Sequence, residues 1–285
     1  MIFGLVNSII LALIAIGFSL TFGISGIANF AYGAFYLFAG YLTWMFLNYL
    51  GLPYLLAILF TLIIVGLAGA LMYWVILLRI RGLILSEVIA TFGVGVGLLE
   101  FLRWKGFVTY EYNLPSFVKG GLEIVGVTVD YQRLAIVGLG LALVAFLHFF
   151  THHTRIGLAF RGIAQEERTA LSLGIESDWT GMLSLAFGSA LAAVAAITIL
   201  PLGIISINQG YDALLVALAV GIVGGLESTL GIIVASLILG YCQVIVATYL
   251  APEWMMVVYL VAIVLVLAIK PSGLFGKFKE LEERV

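Results

Sequence analysis

Two glycine-flanked segments carry the side chains of this chain best suited to handling a polar solute. Gly23 to Phe35 reads GISGIANFAYGAF, and Leu202 to Leu214 reads LGIISINQGYDAL. Sliding one onto the other by 179 positions (208 − 29) pairs Asn29 with Asn208, Tyr32 with Tyr211 and Ala34 with Ala213. An amide and a phenol three residues apart offer donors and acceptors beside backbone that glycine releases from a helix. Burying such groups in hydrocarbon is costly unless they meet a partner or a wet cavity. Asn29, Phe30, Tyr32, Gly33, Asn208, Tyr211 and Asp212 are therefore the expected lining of a solute pathway. At the start of a half-helix, Asp212 is expected to cap free N–H groups in the positive end of the helix dipole rather than to contact solute directly. The plainer alternative is two kinks packed on small residues.

Other constellations point to less. His148 and His152 are spaced i, i+4 with His153 beside them, but no carboxylate or cysteine stands at matching spacing, and the trio reads as C-terminal residues favoured by a helix dipole. Gly93, Gly95 and Gly97 lie in an apolar run and read as a packing surface, not a phosphate loop. No G-x-x-x-x-G-K-[ST] occurs, no cofactor is expected, and no nucleophile and base fall in helical register at one depth. Cys242 is the sole cysteine, which excludes an intrachain disulfide. Glu87, Glu100 and Glu253 fall near the ends of apolar runs, where structural roles are expected.

The elements that must position these residues are membrane helices. Hydrophobic residues make up 64% of the chain, charged residues 10%, and mean hydropathy is +1.22. Soluble domains are nearer a quarter charged. The apolar residues come in continuous blocks of about 20, the length that crosses a hydrocarbon core as a helix, without the alternation of a membrane barrel strand. Candidate spans fall at about 3–23, 31–50, 54–78, 84–102, 132–150, 179–200, 212–225, 229–249 and 254–269. The span 212–225 is short, and reads as half of a broken helix beginning near Asn208. Met1 to Phe22 lacks a basic leader and a cleavage pattern, and reads as the first membrane helix.

Basic residues orient the chain. Arg79, Arg81, Arg155, Arg161, Arg168, Lys270, Lys277, Lys279 and Arg284 are expected inside, and Arg103, Lys105, Lys119 and Arg133 outside. The expected architecture is an all-α, polytopic transmembrane bundle of about nine helices in one domain. It has a half-repeat 1–150, a cytoplasmic loop 151–178, an inverted half-repeat 179–270 and a cytoplasmic tail 271–285, with the helix breaks near the midplane, where inverted repeats place a solute site. The loop, THHTRIGLAFRGIAQEERTALSLGIESD, is a hydrophilic, charge-rich interruption set between long apolar segments. Ile156, Leu158, Phe160 and Ile163 are its apolar anchors. Glu166 and Glu167 among the arginines suit a protein groove better than an anionic lipid surface.

Three motifs in order carry a family resemblance over nearly the whole chain. LALIAIGFSLTFGISGIANFAYGAFYLFAGY (Leu11 to Tyr41) resembles the opening of the LivH-type permeases of branched-chain amino acid ABC importers. Arg155, Gly157, Arg161, Ala164, Ala170, Leu173, Gly174 and Ile175 fall where that family's cytoplasmic loop has its own, and KPSGLFG (Lys270 to Gly276) looks like the family ending. The resemblance implies a permease in the cell membrane, with Arg161, Glu166, Glu167, Arg168 and Gly174 on a coupling helix docked in an ATPase cleft. It further implies a second related, LivM-like permease subunit, two cytoplasmic ABC ATPases that hydrolyse the ATP, and an extracytoplasmic solute-binding protein, with the 103–133 segment and its strand-like EIVGVTV a contact for the last. No nucleic acid is expected. Tyr32 stands where the family usually has His, Gly162 where it often has Ala, and Glu227 and Leu230 where it tends to show Gly and Pro. The Tyr32 change leaves urea, amides or other small polar solutes as alternatives to branched-chain amino acids. A stand-alone channel or ion-coupled carrier is the reading from another class, although no pair of charges deep in the bilayer supports ion coupling.

Overall fold

The computed structural model of the chain describes residues 2–106, 113–116, 120–124, 127–203 and 205–276. The apolar runs fold into helices α1 (Ile2–Ser25), α2 (Tyr32–Asn48), α3 (Tyr54–Val75), α4 (Ile84–Trp104) and α5 (Tyr131–His153), then α8 (Ser177–Ile199), α9 (Asn208–Gly224), α10 (Thr229–Tyr249) and α11 (Met255–Ile269). Between α5 and α8 the hydrophilic stretch forms two short helices, α6 (Arg155–Gln165) and α7 (Glu167–Ser172). Among the described residues, seven helical segments are long and apolar enough to cross a membrane unaided, α11 reaching that length together with the 3₁₀ turn Pro252–Trp254 before it. The other two membrane-scale helices, α2 and α9, have 17 residues each. At 1.5 Å per residue they reach about 25 Å, short of a core of roughly 30 Å. Both short helices follow a break, and α9 begins at Asn208, where the sequence places it.

The strand-like EIVGVTV is a hairpin, not one strand: β1 (Gly121–Ile124) pairs antiparallel with β2 (Val127–Asp130), with Gly121 opposite Asp130. Val125 and Gly126, like Lys119, Lys277, Lys279 and Arg284, lie outside the described residues.

Helices α1 and α8 form the interior, and α11 is almost wholly exposed. Lipid is as apolar as leucine, so membrane helices gain most where small residues let backbones approach. Gly17 and Thr21 of α1 do this against Gly188 and Ser184 of α8, with Thr21 Oγ1 3.3 Å from Ser184 O. Gly69 of α3 admits Ser189 of α8 in the same way. Along α10, α1 runs antiparallel and the polar residues find one another: Asn7 Nδ2 donates to Gln243 Oε1 at 2.8 Å, and Gln243 Nε2 donates to Met255 O at 3.1 Å.

These ties define two ends. At one, Ser19 Oγ donates to Leu226 O and Arg81 pairs with Glu167 and Asp178. At the other, Gln243 meets Met255, and Tyr54 Oη donates to Pro115 O beside the hairpin. Arg79, Arg81, the α6–α7 segment and Lys270 share the first end, while Arg103, Lys105 and Arg133 share the second. The first end carries the excess of basic residues, and so is the one that the sequence pattern expects inside.

Candidate functional site

The first break is built by three short-range devices. Gly26, at φ +62°, takes the left-handed conformation that ends α1, donating its N–H to Phe22 O at 2.7 Å. Asn29 Oδ1 accepts from Ala31 N at 3.1 Å, an Asx turn that re-aims the chain into α2. Thr91 of α4 serves the freed backbone, accepting from Phe30 N at 3.2 Å with its hydroxyl 3.3 Å from Ala28 O. The second break follows a 3₁₀ turn at Leu200–Leu202 containing Pro201, and Gln209 Oε1 accepts from Ser206 N as α9 begins.

The starts of α2 and α9 meet. Gly33 lies on the backbone carbonyl of Gly210, and Gly95 of α4 packs on Phe30 O and Ala31. Between α2, α4 and α9 runs a narrow groove lined by Phe30, Gly33, Ala34, Phe92, Gly95, Val96, Leu99, Gly210, Tyr211 and Leu214. Its volume is about 10 Å³. That is the space of roughly one water-sized sphere, so the groove is shut to a solute in this conformation.

The residues expected at a solute pathway divide. Phe30, Gly33 and Tyr211 line the groove, Tyr211 with 39% of its surface exposed. Asn29 and Tyr32 are wholly buried behind it. The Tyr32 ring packs edge-on to Phe18, centroids 5.9 Å apart, with its hydroxyl against Gly17 of α1. Asn29 Nδ2 and Tyr32 Oη find no hydrogen-bond partner among the described residues. Asn208 is exposed. The pairs Asn29–Asn208 and Tyr32–Tyr211 thus stand in unlike surroundings, whereas Ala34 and Ala213 are both buried. Asp212 is half-buried and does not cap: α9 starts four residues earlier, so Asp212 belongs to its second turn, past the free N–H groups.

At the end rich in basic residues, Thr154 Oγ1 caps α6 by accepting from Gly157 N at 3.0 Å. Phe160 and Ile163 turn inward, where Phe160 joins Phe150 and Phe187 in a ring cluster, and Gly157 lies directly on Phe150 O. Of the four expected anchors only these two are buried. Ile156 and Leu158 face outward, as do Leu171 and Leu173, the last 77% exposed. Arg161, Glu166, Arg168 and Gly174 are exposed on the same segment. Glu167 is engaged within the chain, 2.7 Å from Arg81 Nη2 and accepting from Ser177 Oγ at 2.5 Å. Sequence reading missed Arg81, Ser177 and Asp178 here, and no periodic signal links them to Glu167. Arg81, Glu167 and Ser177 border a cavity of about 220 Å³ that also touches Glu87, buried to 2% exposure.

The KPSGLFG ending has a task in the fold. Leu274 N donates to Val223 O at 2.9 Å and Phe275 N to Gly224 O at 3.1 Å, satisfying carbonyls that α9 leaves free at its C-terminus. Gly225, at φ +99°, turns the chain under this tail and lies against Gly273 and Gly276.

Elsewhere, the rings of His148 and His152 lie tilted against each other with centroids 4.2 Å apart on the exposed end of α5, and no group of three or more metal-ligating residues gathers among the described residues. Gly95 packs on the break, whereas Gly93 and Gly97 face open space. Cys242 is exposed.

Residues 1–267 match the family model described as branched-chain amino acid transport system, permease component. The high-affinity branched-chain amino acid transport system permease protein LivH of Salmonella typhimurium is 29% identical over 283 residues, covering 93% of this chain and 91% of that protein. The corresponding protein BraD of Pseudomonas aeruginosa is 27% identical over 281 residues, covering 93% and 91%. A probable LivH of Methanocaldococcus jannaschii is 25% identical over 293 residues, covering 95% and 90%. Among solved structures, PsaBC from Streptococcus pneumoniae in complex with Fab is similar in fold, with a TM-score of 0.51, 13% identity, and coverage of 96% of this chain and 92% of that one.

Proposed function

The chain belongs to the permease components of branched-chain amino acid transport systems, and from that membership we propose that it passes branched-chain amino acids across the inner membrane as one subunit of an ATP-driven importer. It is a multi-pass membrane protein of a transporter family. The observation that carries the substrate reading is the groove wall. Phe30, Ala34, Phe92, Val96, Leu99 and Leu214 make this wall apolar, as a site for an aliphatic side chain requires once the groove opens. At the same place the first turns of α2 and α9 meet with their positive dipole ends, which suit the carboxylate of an amino acid. Tyr32, the departure from the family's His, packs on α1 and is not among the residues that line the groove.

Transport proceeds by alternating access as the two half-repeats rock and the Gly33–Gly210 contact opens. The exposed α6–α7 surface docks in an ATPase cleft, and ATP is hydrolysed by that partner, this chain having no P-loop and needing no cofactor of its own. A second related permease completes the pathway, two ATPases serve the pair, and an extracytoplasmic binding protein delivers the solute.

The test is uptake by vesicles holding the assembled complex. ATP-dependent accumulation of labelled leucine, isoleucine or valine, competed by one another and not by urea or acetamide, is expected. Accumulation of urea or amides in preference would overturn the substrate, and uptake without ATP or partner subunits would overturn the importer class.

A further inference from the structure

The turn between α3 and α4 reaches across the cytoplasmic end to grip the segment that follows α6. Arg81 Nη2 donates to Glu167 Oε1 and to Ser177 Oγ, each at 2.7 Å, and Nη1 pairs with Asp178. One guanidinium thus holds both α7 and the first turn of α8, elements more than eighty residues away in sequence. Arg81, Glu167 and Asp178 are a third to a half exposed, so the net stability gained is small. What a planar, forked donor does supply is a fixed geometry between the elements it joins.

From Arg81 the contacts continue inward without a gap. Gly82 N donates to Glu87 Oε1 at 3.0 Å, fixing the turn to the first turn of α4. Glu87, Thr91 and Gly95 then follow at i, i+4 and i+8 on the buried edge of α4. Thr91 holds Phe30 N and sits by Ala28 O, and Gly95 packs on Phe30 O. Phe30 lines the groove. Beside the clamp, the cavity of about 220 Å³ leaves α7 and the start of α8 room to shift against Ser25 and Tyr73.

We propose that Arg81 is the positioning residue through which displacement of α6 and α7 reaches the groove: Arg81 moves the α3–α4 turn, the turn moves α4 through Glu87, and α4 moves the α1–α2 break through Thr91. This rests on the importer reading above, since it presumes an ATPase acting on α6 and α7. Contiguity alone is not coupling, and the demonstration needed is energetic.

The experiment uses the complete complex in vesicles, with leucine taken up per ATP hydrolysed as the readout, for wild type, Arg81→Ala, Thr91→Val and the double variant. Arg81→Ala is expected to lower that ratio by at least about fivefold, a typical size for coupling between sites, while the ATPase still co-purifies and hydrolyses ATP. Adding Thr91→Val to Arg81→Ala is expected to cost no more than either change alone, because both interrupt one route. An unchanged ratio in Arg81→Ala, multiplicative losses in the double variant, or loss of the ATPase from Arg81→Ala would each overturn the proposal, the last by reducing Arg81 to a brace for the docking surface. A wild-type complex that hydrolyses ATP without any uptake would overturn the importer reading and this inference together, and so is distinguishable from failure of the inference alone.

Discussion

Gly33, in the first turn of α2, rests on the backbone carbonyl of Gly210, in the first turn of α9, with no space between them for even a methyl group. The two short helices of the bundle therefore start against each other, and the groove between them closes on backbone rather than on side chains.

Gly33→Ala forces this contact apart, since the neighbour is backbone and cannot rotate away. A loss of about 1–3 kcal/mol of stability is expected, as for overpacking in a tight interior, and Gly33→Leu is expected to block uptake altogether. Thermal unfolding in detergent and vesicle uptake measure the two effects. Normal stability and uptake in Gly33→Leu would mean that the helix starts separate freely.

Tyr32→Phe has the opposite character. The Tyr32 hydroxyl is buried without a partner among the described residues, and a stranded donor costs about 1–3 kcal/mol. The phenylalanine variant is expected to be as stable as wild type or more so, with unimpaired uptake. A marked fall in uptake at unchanged stability would show that the hydroxyl finds its partner in another conformation of the transport cycle.

What the sequence revealed and what it hid divide along physical lines. The long helices were legible because apolar runs are local and continuous, and the start of α9 at Asn208 was legible because glycine and asparagine interrupt the run. Which way side chains face within the first break was not legible, because the Gly26 turn and the Asn29 Asx turn set the helix phase and send Asn29 and Tyr32 inward. Asp212 was misjudged for the same reason, its distance from the helix start depending on where the break ends. The Arg81 clamp left no trace at all, since pairing between residues so far apart in sequence imposes no periodicity. The KPSGLFG motif was visible as a motif, and its capping of α9 was not.

Replacing Arg161 and Glu166 together is expected to leave the permease folded, within about 0.5 kcal/mol of wild type, because both side chains are exposed. ATP hydrolysis is expected to lose its stimulation by transport. ATPase and uptake assays on the purified complex check this, and unaltered stimulation would remove these residues from the docking surface.

Cysteines introduced at Ser116 and Ser172 are expected to label from opposite faces, Ser116 from outside. The exposed Cys242 must first be replaced. Labelling of both from one side by an impermeant reagent would contradict the placement of the hairpin and α7 at opposite ends.

Removing residues 271–276 takes away the donors for Val223 O and Gly224 O. A loss of about 1–3 kcal/mol is expected for carbonyls left unpaired, read as a lower unfolding temperature. No change would mean that solvent serves these carbonyls equally well.

That tail clasp also sets an order of events in biogenesis. The last turn of α9 is synthesised roughly fifty residues before Leu274 and Phe275, which at ribosomal speeds of about 5–20 residues per second is an interval of several seconds. During that interval α10 and α11 must both enter the bilayer while the end of α9 is still unclasped. The clasp therefore closes only after α11 has been inserted, and until then the carbonyls of Val223 and Gly224 lack the donors that Leu274 and Phe275 bring.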